Sequence, residues 1–216
     1  RLVQTLLYLF TIITTVWIGK EFLRSPKIGL GAGLLLAAPT VNVTLYTTVS
    51  LGGYGEALLI GNFILICALK IARISSEGGQ LAGKAGLFLG FGLLAGLGLW
   101  ANGLTLIYTI PAALLILFCL QRKHSLKNNL RYIGLGIAGL LLGSLAWWWY
   151  AVDTGFGSLI NELFGSAVAV EGGSWIVRIW QHLVNLLLLG VTVTLGFRPP
   201  WDVTWLALPL IPIVLF

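Results

Sequence analysis

The chain has 216 residues, 58% hydrophobic and 9% charged, with a mean hydropathy of +0.97. Globular domains carry about a quarter charged residues, so this sequence cannot dress a water-facing surface. Its net charge of +6 reads as loop charge on a membrane protein rather than as a nucleic-acid footprint, and the unbroken apolar runs exclude a transmembrane barrel, whose strands would alternate polar and apolar residues.

Apolar runs approaching twenty residues match the length of a helix that crosses about 30 Å of hydrocarbon. They fall near 2–18, 28–48, 55–70, 85–101, 103–120, 133–151, 181–197 and 203–216. The expected fold is an all-α polytopic membrane protein with about eight transmembrane helices, the last one truncated. Residues 1–216 are expected to form a single transmembrane domain, incomplete at both ends, because the chain opens on Arg1 without a signal-peptide pattern and stops at Phe216 inside an apolar run. Asn102-Gly103 marks a tight hairpin between the fourth and fifth spans.

If all eight spans cross, the loops at 19–27, 70–84, 121–132 and 198–202 share one side. They hold Lys20, Arg24, Lys27, Lys70, Arg73, Lys84, Arg122, Lys123, Lys127, Arg131 and Arg198, leaving Arg1 and Arg178 on the other. The basic side is expected to be cytoplasmic. Glu56, Asp153, Glu162 and Glu171 then fall outside. The segment 153–180 is an outer loop in which Leu159, Ile160, Leu163, Phe164, Ala167 and Val168 line one face of a helix lying in the membrane interface.

Several motifs have plain readings. "GLGIAG" at 134–139 matches a dinucleotide fingerprint but opens an apolar run rather than following a strand. Its glycines, with Gly86/Gly90, Gly92/Gly96 and Gly139/Gly143, are read as small-residue helix contacts. "NVT" at 42–44 lies within a span, so Asn42 is read as an interhelical hydrogen-bonding group. Cys67 and Cys119 are read as buried free thiols, His124 as a solvated loop residue, and His182 as an interfacial group at the start of a span. Of the three tryptophans in "WWWY" (147–150), at least one must face the protein, since they point in three directions around a helix.

"SLGGYGEALLIGN" (50–62) sets Glu56 at the start of a helix behind three glycines. A carboxylate there is favoured by the helix dipole, while the glycines point to backbone that bends or approaches something closely. Glu56 is therefore either a cap or a site residue, and Asp153 stands the same way.

That stretch, followed by "GFGLLAGLGLWANGLTLIYTIPAALLIL", "GSLAWWWYAVDTGFGSLINELFGS" and "GFRPPWDVTWLALPLIP", resembles the bacterial branch of the GT-C membrane glycosyltransferases, relatives of the dolichyl-phosphate-mannose–protein mannosyltransferases. The resemblance implies an inverting transferase that moves a sugar from a polyprenyl phosphate to an extracytoplasmic acceptor, in a bacterial inner or plasma membrane. The family's catalytic Asp belongs to the loop after its first span. Nothing here matches it, so it is expected upstream of Arg1, and no catalytic residue is assigned. Tyr54, Glu56, Asn102 and Asp153 align with patterned positions and are expected to line the substrate cavity. Arg178 is a candidate for the lipid phosphate, or else pairs with Glu171. No metal ligand is assigned, although two outer carboxylates have the chemistry to hold a divalent cation. The expected partners are the polyprenyl-phosphate sugar and the bilayer. The alternative is a non-catalytic transmembrane subunit of a larger membrane complex. A transporter ranks last, because no internal repeat stands out and no charged residue lies deep in a span.

Overall fold

In the computed structural model, residues 2–39, 43–44, 47, 53–76, 84–123, 126–165 and 175–185 are described; side chains at 122–129, 161–165, 175, 178, 182 and 185 are not among them. Every element in these segments is helical: α1 Leu2–Glu21, α2 Pro26–Ala37, α3 Tyr54–Ser76, α4 Ala85–Ala101, a 3-10 turn Gly103–Thr105, α5 Leu106–Lys123, α6 Leu126–Gly143, α7 Leu145–Thr154, α8 Phe156–Gly165 and α9 Trp175–Asn185.

Three helices are long and apolar enough to cross a membrane: Leu2–Glu21, Tyr54–Ser76 and Gly103–Gln121. The bent pair Leu130–Gly143 and Leu145–Thr154 makes a fourth if it counts as one span. The expectation of eight is therefore not reached among the described residues. Helix α2 has 12 residues, about 18 Å at 1.5 Å per residue, short of the hydrocarbon core. The expected spans at 203–216 and, beyond Asn185, at 181–197 lie outside the described residues.

Direction alternates along the chain. Helix α2 runs back along α1, with Gly19 against Gly29, Gly33 against Val16, and Tyr8 Oη donating to Leu36 O at 2.6 Å. Ser25 starts α2 by accepting from Ile28 N, with Pro26 at the first helical position. Helix α3 runs parallel to α1, since Gln4 meets Glu56, Thr14 meets Asn62 and Glu21 meets Arg73. It also runs parallel to α5, where Gly61 faces Tyr108 and Ser75 Oγ donates to Cys119 O at 3.2 Å. Helices α4 and α6 run together in the opposite sense, backbone against backbone. A Cβ on Gly92 would overlap Gly136 O, and one on Gly139 would overlap Leu89 O. Small residues at i and i+4 allow such an approach, and dispersion between the close backbones replaces the hydrophobic drive that lipid removes.

The core lies between α3 and α6. Ile64, Ala68 and Ile71 meet Phe88 of α4, Ala112, Ile116 and Leu120 of α5, and Tyr132 of α6. Phe88 and Tyr132 stack with ring centroids 4.6 Å apart. Large apolar side chains such as Leu35, Ile107 and Leu114 are exposed on the outer helix faces, as expected where hydrocarbon is the solvent. Gly86 and Gly90 correct one expectation. Among the described residues they have nothing within 4 Å, because they lie about a third of a turn around α4 from Gly92 and Gly96, and Gly134 of α6 likewise has nothing against it.

The expected straight span 133–151 bends by 60° at Ser144. Ser144 Oγ donates back to Leu140 O at 2.7 Å and accepts from Trp148 Nε1 at 3.0 Å. A serine that bonds its own preceding turn next to a glycine is a recognised cause of helix bending. The bend turns α7 against α4, where Trp147 Nε1 donates to Leu99 O at 3.2 Å. Trp147 is thus the tryptophan that faces the protein, while Trp149 is 80% exposed.

Candidate functional site

Alternation gathers the helix ends into two groups. Lys20, Arg24 and Lys27 flank the α1–α2 turn, and Lys70, Arg73 and Lys84 flank the gap between α3 and α4. The short break between α5 and α6 belongs to the same end. The beginning of α3, the turn between α4 and α5, and α7 lie at the other end, and Glu56 is there.

Glu56 sits in the first turn of α3, where the helix dipole favours a carboxylate. Its Oε1 accepts from Gln4 Nε2 of α1 at 2.8 Å. Its Oε2 is a buried atom with no hydrogen-bond partner among the described residues, and so is Gln4 Oε1. Gln4 is 8% exposed. Gly55 lies beside this pair: a Cβ there would sit 2.5 Å from Gln4 Oε1 and 3.4 Å from the backbone oxygen of Thr47. A glycine at 55 is what lets the Gln4 carbonyl approach the α3 backbone.

Asn102 is close to the same helix start. Gly53, at φ +80, has its missing Cβ 2.5 Å from Ala101 O and 3.6 Å from Asn102 Cβ. The positive φ and the approach of Ala101 both call for glycine. Asn102 shapes the turn, its side chain accepting from Leu104 N at 3.0 Å and its carbonyl from Thr105 N at 3.0 Å. Tyr54, the first residue of α3, is half-buried.

Of the five sequence-derived candidates, Tyr54 and Glu56 thus share the first turn of α3, and Asn102 lies beside that helix start through Gly53. Asp153 is not shown to join them. It is exposed on α7, which packs on α4 and α8. Arg178 lies on α9, with its side chain outside the described ones, and Glu171 is outside the described residues altogether. Among the described residues no three His, Cys, Asp or Glu side chains form a group fit for a metal ion.

Sequence reasoning missed Gln4. A lone glutamine in an apolar run carries no charge signal, yet Gln4, Thr11 and Thr14 recur at seven and three residues and form one stripe of α1. All three are buried. One turn and a half beyond Glu56, Asn62 meets the same stripe, donating to Thr11 O at 3.1 Å and to Thr14 Oγ1 and Thr15 Oγ1 at 2.9 Å.

No family model, curated protein or solved structure matches this chain.

Two hollows lie among the described residues. One of about 210 Å³ is apolar and lies between α4, α5 and α6, with Phe91, Ala95, Leu117 and Ile137 among its lining residues. The other, about 340 Å³, lies at the basic end between α1, α3 and α5 and includes the Glu21–Arg73 ion pair. Neither includes Tyr54, Glu56 or Asn102.

Proposed function

We propose that the chain is the membrane part of a lipid-linked sugar transferase, taking a sugar from a polyprenyl phosphate to an acceptor on the extracytoplasmic side. The observation that carries this reading is that Tyr54, Glu56 and Asn102 lie at the same end of the bundle, opposite its basic turns. By the charge bias of membrane loops the basic end is cytoplasmic, so these three residues lie outside. A polar rim over an apolar bundle suits a substrate with a hydrophilic sugar and a long hydrocarbon tail. Helix α9 suits it as well: Ile176, Ile179, Trp180 and Leu183 are exposed along one side, with Arg178, Gln181 and His182 on the other in sequence. That is the pattern of a helix lying in a membrane interface, where a lipid phosphate would reside.

The test is transfer of radiolabelled sugar from polyprenyl phosphate by the full-length protein in proteoliposomes. Glu56→Gln and Asn102→Ala are each expected to lower kcat/KM by about tenfold to hundredfold, the worth of a hydrogen bond to a charged or well-placed group. Wild-type transfer left unchanged by both substitutions would remove these residues from the reaction.

A second reading, a non-catalytic subunit within a larger membrane complex, draws on Gly86 and Gly90. These present a small-residue face of α4 with nothing against it among the described residues, the kind of face that receives another helix. Purification with a stable membrane partner, and no sugar transfer by the full-length protein, would favour it.

A further inference from the structure

We propose that the apolar hollow between α4, α5 and α6 takes one acyl chain of an anionic phospholipid, with the lipid phosphate beside Lys84 at the basic end. The room exists because α5 packs along α3 and meets α4 and α6 only sparsely. Small residues on all three helices, Gly92, Ala113 and Gly136 among them, leave about 210 Å³ between the walls. Leu117 and Ile137 line the hollow and are exposed, so it opens on the outer face of the bundle, where a lipid can enter from the side.

Depth selects a chain. The lining residues of α6 run from Tyr132 to Leu140, about 12 Å at 1.5 Å per residue. On α4 they begin at Phe88, within a turn of the helix start at Ala85. The hollow therefore begins near the basic surface and ends near the middle of a hydrocarbon core of about 30 Å. That is the reach of a chain from one leaflet.

The mouth selects the charge. Lys84 is exposed and precedes Phe88 by four residues, so the two lie on one side of α4. The break between α5 and α6 adds Arg122, Lys123 and Lys127 in sequence, and from 78 to 152 the sequence holds no Asp or Glu. Helices α4 and α6 both start at this end without an acidic residue in the first turn, and a helix start favours negative charge. An apolar slot below a positive mouth matches a hydrocarbon chain below a phosphate, and basic pockets between membrane helices hold anionic headgroups in this way. This end is the one opposite Glu56, so the lipid belongs to the other leaflet from the proposed sugar donor and the inference does not rest on sugar transfer.

The purified full-length protein is mixed in detergent with phosphatidylglycerol or phosphatidylcholine of the same chain length. Native mass spectrometry counts the lipids retained, and thermal unfolding in the same mixtures gives the apparent affinity. One phosphatidylglycerol per chain is expected at concentrations where phosphatidylcholine is not retained, with a Tm that rises and saturates. Glycerol phosphate, a headgroup without chains, should not compete. Lys84→Gln should weaken phosphatidylglycerol binding about fivefold, the worth of one basic side chain at an anionic lipid surface. Ala113→Leu fills the hollow and should abolish retention. Equal retention of the two lipids, or phosphatidylglycerol retention unchanged in both variants, would overturn the proposal. Competition by glycerol phosphate would overturn it too, leaving a phosphate site without a chain. Ala113→Leu that lowers the Tm in lipid-free detergent while phosphatidylglycerol still binds would place a segment of this chain, not a lipid, in the hollow.

Discussion

Asn62 Nδ2 on α3 donates to Thr14 Oγ1 on α1 across 2.9 Å, joining residues 48 apart in the chain. The same nitrogen also reaches Thr15 Oγ1 and Thr11 O. The three threonine hydroxyls meanwhile donate to carbonyls of their own helix, Thr11 to Leu7, Thr14 to Phe10 and Thr15 to Thr11. The hydroxyls therefore stay satisfied if Asn62 is removed, and only the asparagine depends on the contact.

That asymmetry sets the size of the first expected effect. Asn62→Leu should destabilise the α1–α3 pair by about 1 kcal/mol, near the average for a hydrogen bond between membrane helices. In a double-mutant cycle of Asn62→Ala with Thr14→Val, a coupling of about 0.6 kcal/mol and below about 1.7 kcal/mol is expected. Reversible unfolding in mixed detergent micelles measures it. A coupling of zero would mean that the amide does not bond Thr14.

Gly92 and Gly136 face each other across α4 and α6, but they are not equivalent. A Cβ on Gly92 would overlap Gly136 O, whereas a Cβ on Gly136 would lie 3.9 Å from Phe88 O. Gly92→Ala should force the helices apart and cost about 1–3 kcal/mol, the usual range for overpacking. Gly136→Ala should be neutral or stabilising by a few tenths of a kcal/mol through helix propensity. Unfolding midpoints of the two variants, measured side by side, decide this. Equal losses would contradict the close approach.

The sequence makes some of this legible and hides the rest for physical reasons. Helix α4 takes the bounds expected at 85–101, because an uncharged run between Lys84 and Asn102 leaves its ends no freedom, yet its 17 residues leave it outside the helices long enough to cross a membrane. Glu56 opens a helix as expected. Gly92, Gly96, Gly139 and Gly143 are contact residues, but the same spacing misleads at Gly86 and Gly90. A four-residue period fixes that two glycines share a face, not which face meets a neighbour. The 60° bend is hidden because serine in an apolar run bends a helix only when its hydroxyl turns back on the preceding turn. The Gln4–Glu56 pair is hidden because it joins residues 52 apart, and no local pattern reports which helices run side by side.

Trp147 and Trp149 should separate in two measurements. Trp147 is half-buried and donates to Leu99 O at 3.2 Å, so Trp147→Phe should cost about 1 kcal/mol for the lost bond. Trp149 is 80% exposed, and Trp149→Phe should change stability by less than about 0.5 kcal/mol. In vesicles containing brominated lipid, a variant keeping Trp149 as its sole tryptophan should be quenched more than one keeping Trp147. The reverse order would place α7 with its opposite face toward the bilayer.

Gly53 offers the sharpest check on the candidate site, because two independent constraints meet at it. Its φ of +80 lies where a Cβ is strained, a cost of roughly 1–2 kcal/mol. The missing Cβ would also fall 2.5 Å from Ala101 O, so an alanine must push the start of α3 away from the end of α4. Gly103, one turn residue beyond Asn102, has nothing within 4 Å among the described residues and serves as the control. Gly53→Ala should destabilise the protein by more than about 2 kcal/mol, the conformational strain with overpacking added, while Gly103→Ala should change it by less than about 1 kcal/mol. The displacement also carries Tyr54 and Glu56 away from Asn102. Sugar transfer by Gly53→Ala, assayed well below its unfolding temperature, should therefore fall while the fold persists. Transfer that tracks stability alone, with no loss at low temperature, would show that the approach of α3 to the α4–α5 turn holds the bundle together without serving the reaction.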